Sequence, residues 1–243
     1  MLGMVEKIDR SEYGNAIALY GLENELDNPA LFGAINTLPA LQRIKTLNKL
    51  TQPPLPSKGS RAEMEKHFAE LPAHVKTQLA QGDLRLADTI VFSIKPTSSK
   101  TIKMFESSDT KAVGLRSLSE GRLQKSQVLL VSGIILLAGV AGGDTTDFAM
   151  ITNFAKIESI PALANGEFSL KANKKIIVPE GTSNRVFCTD NYNGVPFGYY
   201  KLANPRLIHD DVAIEMVIEL GSLTGIAANT HLFVGLHGTM TTP

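Results

Sequence analysis

Apolar residues recur every three or four positions in the first third of the chain and every second position in most of the remainder. The first spacing places apolar side chains on one face of a helix, and the second places them on one face of a strand. We therefore expect residues 1–83 to form a helical N-terminal arm and residues 84–243 to form a β domain. Gly82 is predicted to end the last helix.

The arm is predicted to contain four helices and one linker. Periodic segments over 15–26 and 28–50 predict the first two helices. Three prolines favour an extended chain and predict a proline-rich linker over 51–59. A capping-box spacing then predicts a helix over 60–70, and a proline suits the first turn of a fourth over 72–81.

The β domain is predicted to contain about eight or nine strands. Residues 127–138 form a long apolar run that we expect to be a strand covered on both faces. The glycines over 139–143 predict a turn or a close approach to another backbone. The first strand is predicted to end at Pro96 and to present four apolar residues on one face: Leu86, Ile90, Phe92 and Ile94.

The later segments predict a hairpin and four further strands, one of them over 199–202. Asn173 and Lys174 are expected at the tip of the hairpin, with Phe168, Leu170 and Ala172 facing inward. A strand is predicted over 184–189, and 204–208 is expected to form a corner. Two alternating runs, 212–220 and 231–238, predict two short antiparallel strands that end a β-sandwich. In the first run one face is apolar and the other carries two glutamates: Val212, Ile214, Met216, Ile218 and Leu220 against Glu215 and Glu219.

Composition narrows the classes of function. The 24 basic residues balance 24 acidic ones, so no general attraction to nucleic acid is expected. The absence of tryptophan argues against an aromatic platform for bases or sugars. Two weak basic clusters are interpreted as solvated surface, with a nucleic-acid or lipid-headgroup contact as the alternative: Lys171, Lys174 and Lys175, and Arg43, Lys45 and Lys49.

The single cysteine, the charged N-terminal residues and the length of the apolar run argue against disulfide-bonded, secreted and membrane-spanning proteins. Cys188 is the single cysteine, so an intramolecular disulfide is excluded, and we expect it to be a structural side chain. Charged residues over 1–10 predict that the chain carries no secretory signal. The apolar run over 128–143 is too short to span a bilayer and favours a core strand.

No reaction centre is predicted. Five histidines are present, but no two are separated by one residue, as a cupin-type metal site requires. His231 and His237 are predicted on one face of a strand, too far apart for one metal ion. Asp210 and Asp211 beside His209 are predicted to form a polar corner before a strand. We therefore expect no catalytic, cofactor-binding or metal-binding residues and no cofactor.

Residues 84–243 resemble the jelly-roll capsid proteins of small icosahedral viruses, bacteriophages in particular. The resemblance covers about two-thirds of the chain and rests on an opening strand, a core strand, the start of a middle strand, a corner and a closing strand. These are Ala87–Ile94, Gln127–Ile134, Asn165–Leu170, Asn204–Ile208 and His231–Thr239.

The resemblance implies an all-β protein: a jelly-roll β-sandwich of about eight strands with an α-helical N-terminal arm. It implies a major capsid protein, not an enzyme, that self-assembles into an icosahedral shell through the arm and the sandwich edges. Its expected place is the virion, assembled in the host cytoplasm, with other virion proteins as partners and an internal membrane or genome contact left open. The arm carries nine Lys/Arg and ten Asp/Glu, which argues against charge-driven genome packaging.

Two alternatives stay open. The first is a carbohydrate- or receptor-binding β-sandwich of a virion spike, with Asp190, Asn191, Tyr192 and Asn193 as the candidate site. The second is a cupin-like metalloenzyme. Sugar binding would support the first alternative, and stoichiometric metal would support the second.

Overall fold

The computed structural model describes Met64, residues 66–188 and residues 198–243. All of them belong to one compact unit, Lys58–Pro243. The helices predicted over 15–26 and 28–50, the linker over 51–59 and the basic residues Arg43, Lys45 and Lys49 lie outside the described residues.

Strands dominate this unit. The described residues form nine strands: β1 (Arg85–Pro96), β2 (Thr101–Lys103), β3 (Leu129–Val140), β4 (Ala155–Lys156), β5 (Glu167–Ala172), β6 (Lys175–Ser183), β7 (Tyr199–Ile208), β8 (Ile214–Glu219) and β9 (Thr230–Thr242). The α-helices that lie wholly within the described residues are α1 (Ala73–Gln81), α2 (Thr146–Met150) and α3 (Pro161–Ala164). Short 3₁₀ helices cover Phe68–Glu70, Ile157–Ser159 and Asn184–Phe187. The mostly β composition that the alternation predicted is confirmed.

The strands form two antiparallel sheets that make a β-sandwich. In the first sheet the order is β1-β9-β3, and the other edge of β3 pairs with β7 along one part and with β4 along another. In the second sheet the order is β2-β8-β5-β6. Strands that are distant in sequence are therefore neighbours in both sheets, as when Arg85 of β1 pairs with Thr242 of β9.

The core lies between the two sheets. The apolar face predicted for β8 is confirmed, because Ile214, Met216 and Ile218 are buried in this core while Glu215 and Glu219 are exposed. The core also contains residues of β3, β5 and β9, among them Leu129, Ile134, Phe168, Leu170, Val234 and Leu236.

Strand β3 is covered on both faces, as its unbroken apolar run predicts. A β-bulge between Val131 and Gly133 shifts its register against both β7 and β9. At Gly139 an added Cβ would lie 2.5 Å from the carbonyl oxygen of Asn153, so the predicted close approach to another backbone is confirmed.

The apolar side predicted for β1 lies on the outer face of the first sheet, away from the second sheet. Leu86 packs there with Leu84, Val128 and Leu130 beneath residues of the segment that precedes the sheet, namely Met64, Leu71, Val75 and Leu79. Part of the predicted arm, Met64 and residues 66–81, therefore packs on the sandwich of its own chain. Helix α1 ends at Gly82 in the left-handed conformation, with φ of 85°, as the glycine predicted.

Three sequence-based predictions of strands need correction. Residues 184–187 form a 3₁₀ helix, not a strand, because the Ser183 hydroxyl accepts from Arg185 N–H and caps a turn. Residues 204–208 belong to β7 and do not form a corner. The strands β8 and β9 do not pair with each other but lie in opposite sheets.

Candidate interaction surface

A patch of exposed apolar side chains lies on two connections of the sandwich. Val113 belongs to the connection between β2 and β3, and the others belong to α2 and the residue that follows it: Phe148, Met150 and Ile151. Val113 is 92% exposed and Ile151 is 77% exposed. We call these four residues the Val113 patch.

Buried neighbours hold the two connections together. Leu115 and Ala149 are buried in one small cluster with Ile94 of β1, and Phe154 and Phe233 pack against it. A Cβ added at Gly114 would lie 3.6 Å from Cγ of Met150, so the two connections are in close contact. The two connections that carry the patch are therefore held side by side by buried residues.

This patch was not predicted from the sequence. It lies in two connections that the alternation pattern treats as turns and loops. The available signal was local: Phe148, Met150 and Ile151 are three large apolar residues within four positions of a segment that is otherwise polar or small. Several large apolar residues in an otherwise polar connection are typical of a binding surface.

A polar cavity of about 250 Å³ lies beside the patch. Three connections contribute hydroxyl, carboxylate, amide and imidazole groups to it: Thr97 and Ser98, Asp144 and Thr146, and Asn229 and His231. Nδ1 of His231 lies 2.8 Å from the carbonyl oxygen of Asn229, so this nitrogen donates to that oxygen. The cavity offers several hydrogen-bonding groups and no large aromatic side chain.

A second polar cluster lies on the outer face of the first sheet. The Tyr199 hydroxyl is 3.2 Å from Nδ1 of His237, and the Ser132 hydroxyl is 3.4 Å from the same nitrogen. Burial raises the pKa of Tyr199, and a hydrogen bond with Ser132 partly offsets this. The phenol therefore stays protonated and can donate to His237. Gly133 gives the ring its space, because an added Cβ would lie 2.1 Å from the hydroxyl oxygen.

A buried carboxylate fixes the connection between β2 and β3. Asp109 is 5% exposed, and its Oδ1 accepts from Lys95 Nζ at 2.5 Å and from Arg116 Nη1 at 2.8 Å. Its Oδ2 accepts from the N–H of Glu106, whose carboxylate also binds Lys95. These bonds attach the connection to β1, and they satisfy the buried charge with two cations.

The residues 209–211 form the polar corner that the sequence predicted. Asp210 accepts from Ser126 N–H at 2.8 Å and lies 3.0 Å from Nε2 of His74. Partial burial alone would raise the pKa of Asp210, but the bonds from Ser126 and His74 outweigh it and hold the pKa below its ordinary value. Asp211 adopts a positive φ of 56°, as turn residues often do. The corner therefore binds α1 and has a structural role.

The remaining residues singled out by sequence fall on ordinary surface or in the core. Burial, with the nearby Glu158, raises the pKa of the Cys188 thiol, which disfavours the reactive thiolate. Lys171 is bonded to Glu180, and this contact raises the pKa of the lysine and lowers that of the glutamate. Asp190, Asn191, Tyr192 and Asn193, the candidate sugar site, lie outside the described residues.

Metal-binding groups are not brought together in the described part of the chain. Across Met64, 66–188 and 198–243, no three His, Cys, Asp or Glu residues are placed to hold one ion. His231 and His237 lie on the same face of β9, as predicted, each with a different partner. Among the described residues, no helix has the length and apolar character to cross a membrane.

Comparison with known proteins adds no relationship. No protein-family model matches the chain, and no curated protein matches it at a significant level.

Proposed function

We propose that the sandwich is a jelly roll and that the chain is a viral capsid protein that assembles with copies of itself. The strand orders support the jelly roll. Without the two-residue strand β4, eight strands remain in the orders β1-β9-β3-β7 and β2-β8-β5-β6. Two four-stranded sheets whose neighbours come from distant parts of the chain are typical of this architecture.

The Val113 patch is the observation that carries the assembly proposal. Jelly rolls occur in capsid, lectin and cupin proteins, so the fold alone does not choose among them. Large exposed apolar side chains rimmed by polar residues favour a protein partner over a sugar or a metal. A second copy of the chain is the proposed partner, because shells are built from repeated contacts between identical subunits.

Sedimentation velocity and electron microscopy of the full chain test this proposal. We expect trimers, pentamers or closed shells, and monomers at high concentration would contradict it. Ile151→Asp is expected to reduce assembly at least tenfold, since it places a charge in a dry contact. Ile176→Asp is the matched control, because Ile176 is also an exposed isoleucine but lies on β6. Equal losses in both variants would exclude the patch as the contact.

The proposal includes the N-terminal arm. Deletion of residues 1–50 is expected to abolish assembly and to leave the sandwich folded, as measured by circular dichroism and sedimentation. Normal shells from the shortened chain would show that the arm has no part in the contact. In this proposal the protein acts in the virion, has a structural and not a catalytic role, and contacts other virion proteins.

A receptor-binding sandwich is the second candidate, and the polar cavity beside the patch favours it. Its amide, carboxylate and hydroxyl groups from three connections are of the kind that bind sugar hydroxyls. A glycan array with the full chain tests it, and Asn229→Ala is expected to abolish any specific signal. An array without hits would leave assembly as the supported function. For the cupin-like metalloenzyme, no observation on the described residues adds support.

A further inference from the structure

The hairpin of β5 and β6 presents an apolar side chain among cations. Asn173 and Lys174 form its two-residue tip, both with positive φ, and β6 begins at Lys175. The next residue, Ile176, is 62% exposed. Lys174 and Lys175 are both exposed beside it. An exposed isoleucine beside basic residues suits an interface between water and an apolar phase.

A cavity of about 270 Å³ lies behind this tip. Its floor is apolar and includes Ile177, Leu207 and Val212. Arg206 of β7 and Lys175 of β6 also line it. The cavity therefore combines an apolar floor with positive charge, which is the combination that an anionic headgroup and the first part of its acyl chain require.

Basic side chains outnumber acidic ones around the tip and the cavity. In the described part of the chain, no carboxylate lies within ion-pair distance of Lys174, Lys175 or Arg206. Glu70 also lines the cavity, but its carboxylate is 2.9 Å from Nδ1 of His67. Lys175, Arg206 and the carboxylate of Glu70 therefore line the cavity, and Lys174 adds a third cation at the tip. This excess of positive charge would attract an external anion.

We propose that the β5–β6 hairpin binds the surface of an anionic lipid bilayer. Ile176 inserts between the headgroups, Lys174 and Lys175 contact the negative surface, and a lipid phosphate enters the cavity at Arg206. A bilayer is favoured over nucleic acid because the exposed side chain at the tip is aliphatic, whereas single strands bind to aromatic side chains. The tip and the Val113 patch are separate surfaces, so this contact does not depend on assembly.

Flotation of the full chain with vesicles tests the proposal. Binding to vesicles of phosphatidylglycerol and phosphatidylcholine is expected, with at least tenfold weaker binding to phosphatidylcholine alone and a further loss at high salt. Lys175→Gln is expected to weaken binding about fivefold, the effect of one basic residue near such a surface. Lys201→Gln is the matched control, since Lys201 is an exposed lysine on β7 outside the cavity.

A second pair of variants tests the apolar part of the contact. Ile176→Asp is expected to abolish flotation, whereas Val140→Asp, at an exposed valine at the end of β3, is expected to leave it unchanged. Circular dichroism of each variant shows that the sandwich is folded. The proposal is wrong if Ile176→Asp and Lys175→Gln float as the unaltered chain does, or if the chain binds an oligonucleotide and not the anionic vesicles. Failure here would leave the sedimentation result for Ile151→Asp unchanged, so the two proposals fail separately.

Discussion

The Nε2 atom of His74 on α1 lies 3.0 Å from Oδ2 of Asp210 in the turn between β7 and β8. This contact joins the segment before the first sheet to the sandwich, and Ser126 N–H donates to the same oxygen. Asp210→Asn is expected to lower the free energy of unfolding by about 1 kcal/mol, because the charge-assisted part of both bonds is lost. Urea denaturation at neutral pH measures this loss.

The same variant has a defined pH dependence. The pKa of Asp210 is lower in the folded chain than in the unfolded one. Its stabilising effect is therefore complete above the unfolded value of about 4 and disappears as the pH falls through the folded value. The difference between the chain and Asp210→Asn should shrink below about pH 4. Asp211→Asn, at an exposed neighbour, should change stability by less than about 0.5 kcal/mol at any pH.

Gly133 and Tyr199 are expected to be energetically coupled. An added Cβ at Gly133 would occupy the position of the Tyr199 hydroxyl, so Gly133→Ala should cost about 1–3 kcal/mol of stability. Tyr199→Ala removes the clash, and the double variant should lose less than the sum of the two single variants. A double-mutant cycle from denaturant melts measures the difference. Strict additivity would show that the phenol moves away at no cost.

Asp109 is expected to be the most sensitive ionic residue of the described chain. Asp109→Asn leaves Lys95 and Arg116 without their shared negative charge in a mostly buried position, which should cost about 3 kcal/mol. Glu106→Gln removes a more exposed carboxylate from the same cluster and should cost less than about 1 kcal/mol. Thermal denaturation of both variants and of the unaltered chain gives the ratio of the two losses of stability. Similar losses in the two variants would contradict the assignment of Asp109 as the centre of the cluster.

Lys174→Gly is expected to stabilise the hairpin. Lys174 has a φ of 62°, which a side chain disfavours and glycine adopts freely. Asn-Gly is also the preferred pair for a two-residue turn in which both residues have positive φ. The variant should gain about 0.5–1 kcal/mol in a urea melt. Lys175→Gly, one residue later in β6, should instead destabilise, because glycine weakens a strand.

Local features of the fold were predicted well from the sequence. The alternation over 212–220 gave the buried face of β8, Gly82 gave the end of α1, and Asn173 with Lys174 gave the hairpin tip. Each prediction depends on a conformational preference of a few neighbouring residues. Such preferences act within one element, so a single sequence contains enough information to identify them.

Features that depend on distant contacts were not predicted. Alternation shows that β8 and β9 are strands but does not show that they lie in opposite sheets, because a strand has the same period in either sheet. Pro205 suggested a corner, yet it lies in β7. Val131 pairs with Arg206 and Gly133 pairs with Lys201, so two positions of β3 face five positions of β7. The proline therefore lies in an irregular stretch of β7.

The Val113 patch and the hairpin cavity could not be derived from the sequence for a related reason. Val113 and Ile151 meet on one surface only because Leu115 and Ala149 pack together beneath them. Arg206 and Lys175 line one cavity only because the end of β7 lies beside the β5–β6 hairpin. Each surface brings together residues that are more than 30 positions apart in the sequence, and no local pattern connects them.

The central position of β9 constrains when the protein can fold. Among the described strands, only β9 joins β1 to β3, so the central strand of the first sheet is missing until residues 230–242 have been synthesised. Pairings over such long stretches of chain form slowly, and apolar strands that wait for a partner are prone to aggregate. On the ribosome, β1 and β3 therefore lack their shared partner until β9 emerges. Contacts between the unpaired strands of two chains that are still being synthesised would compete with correct folding.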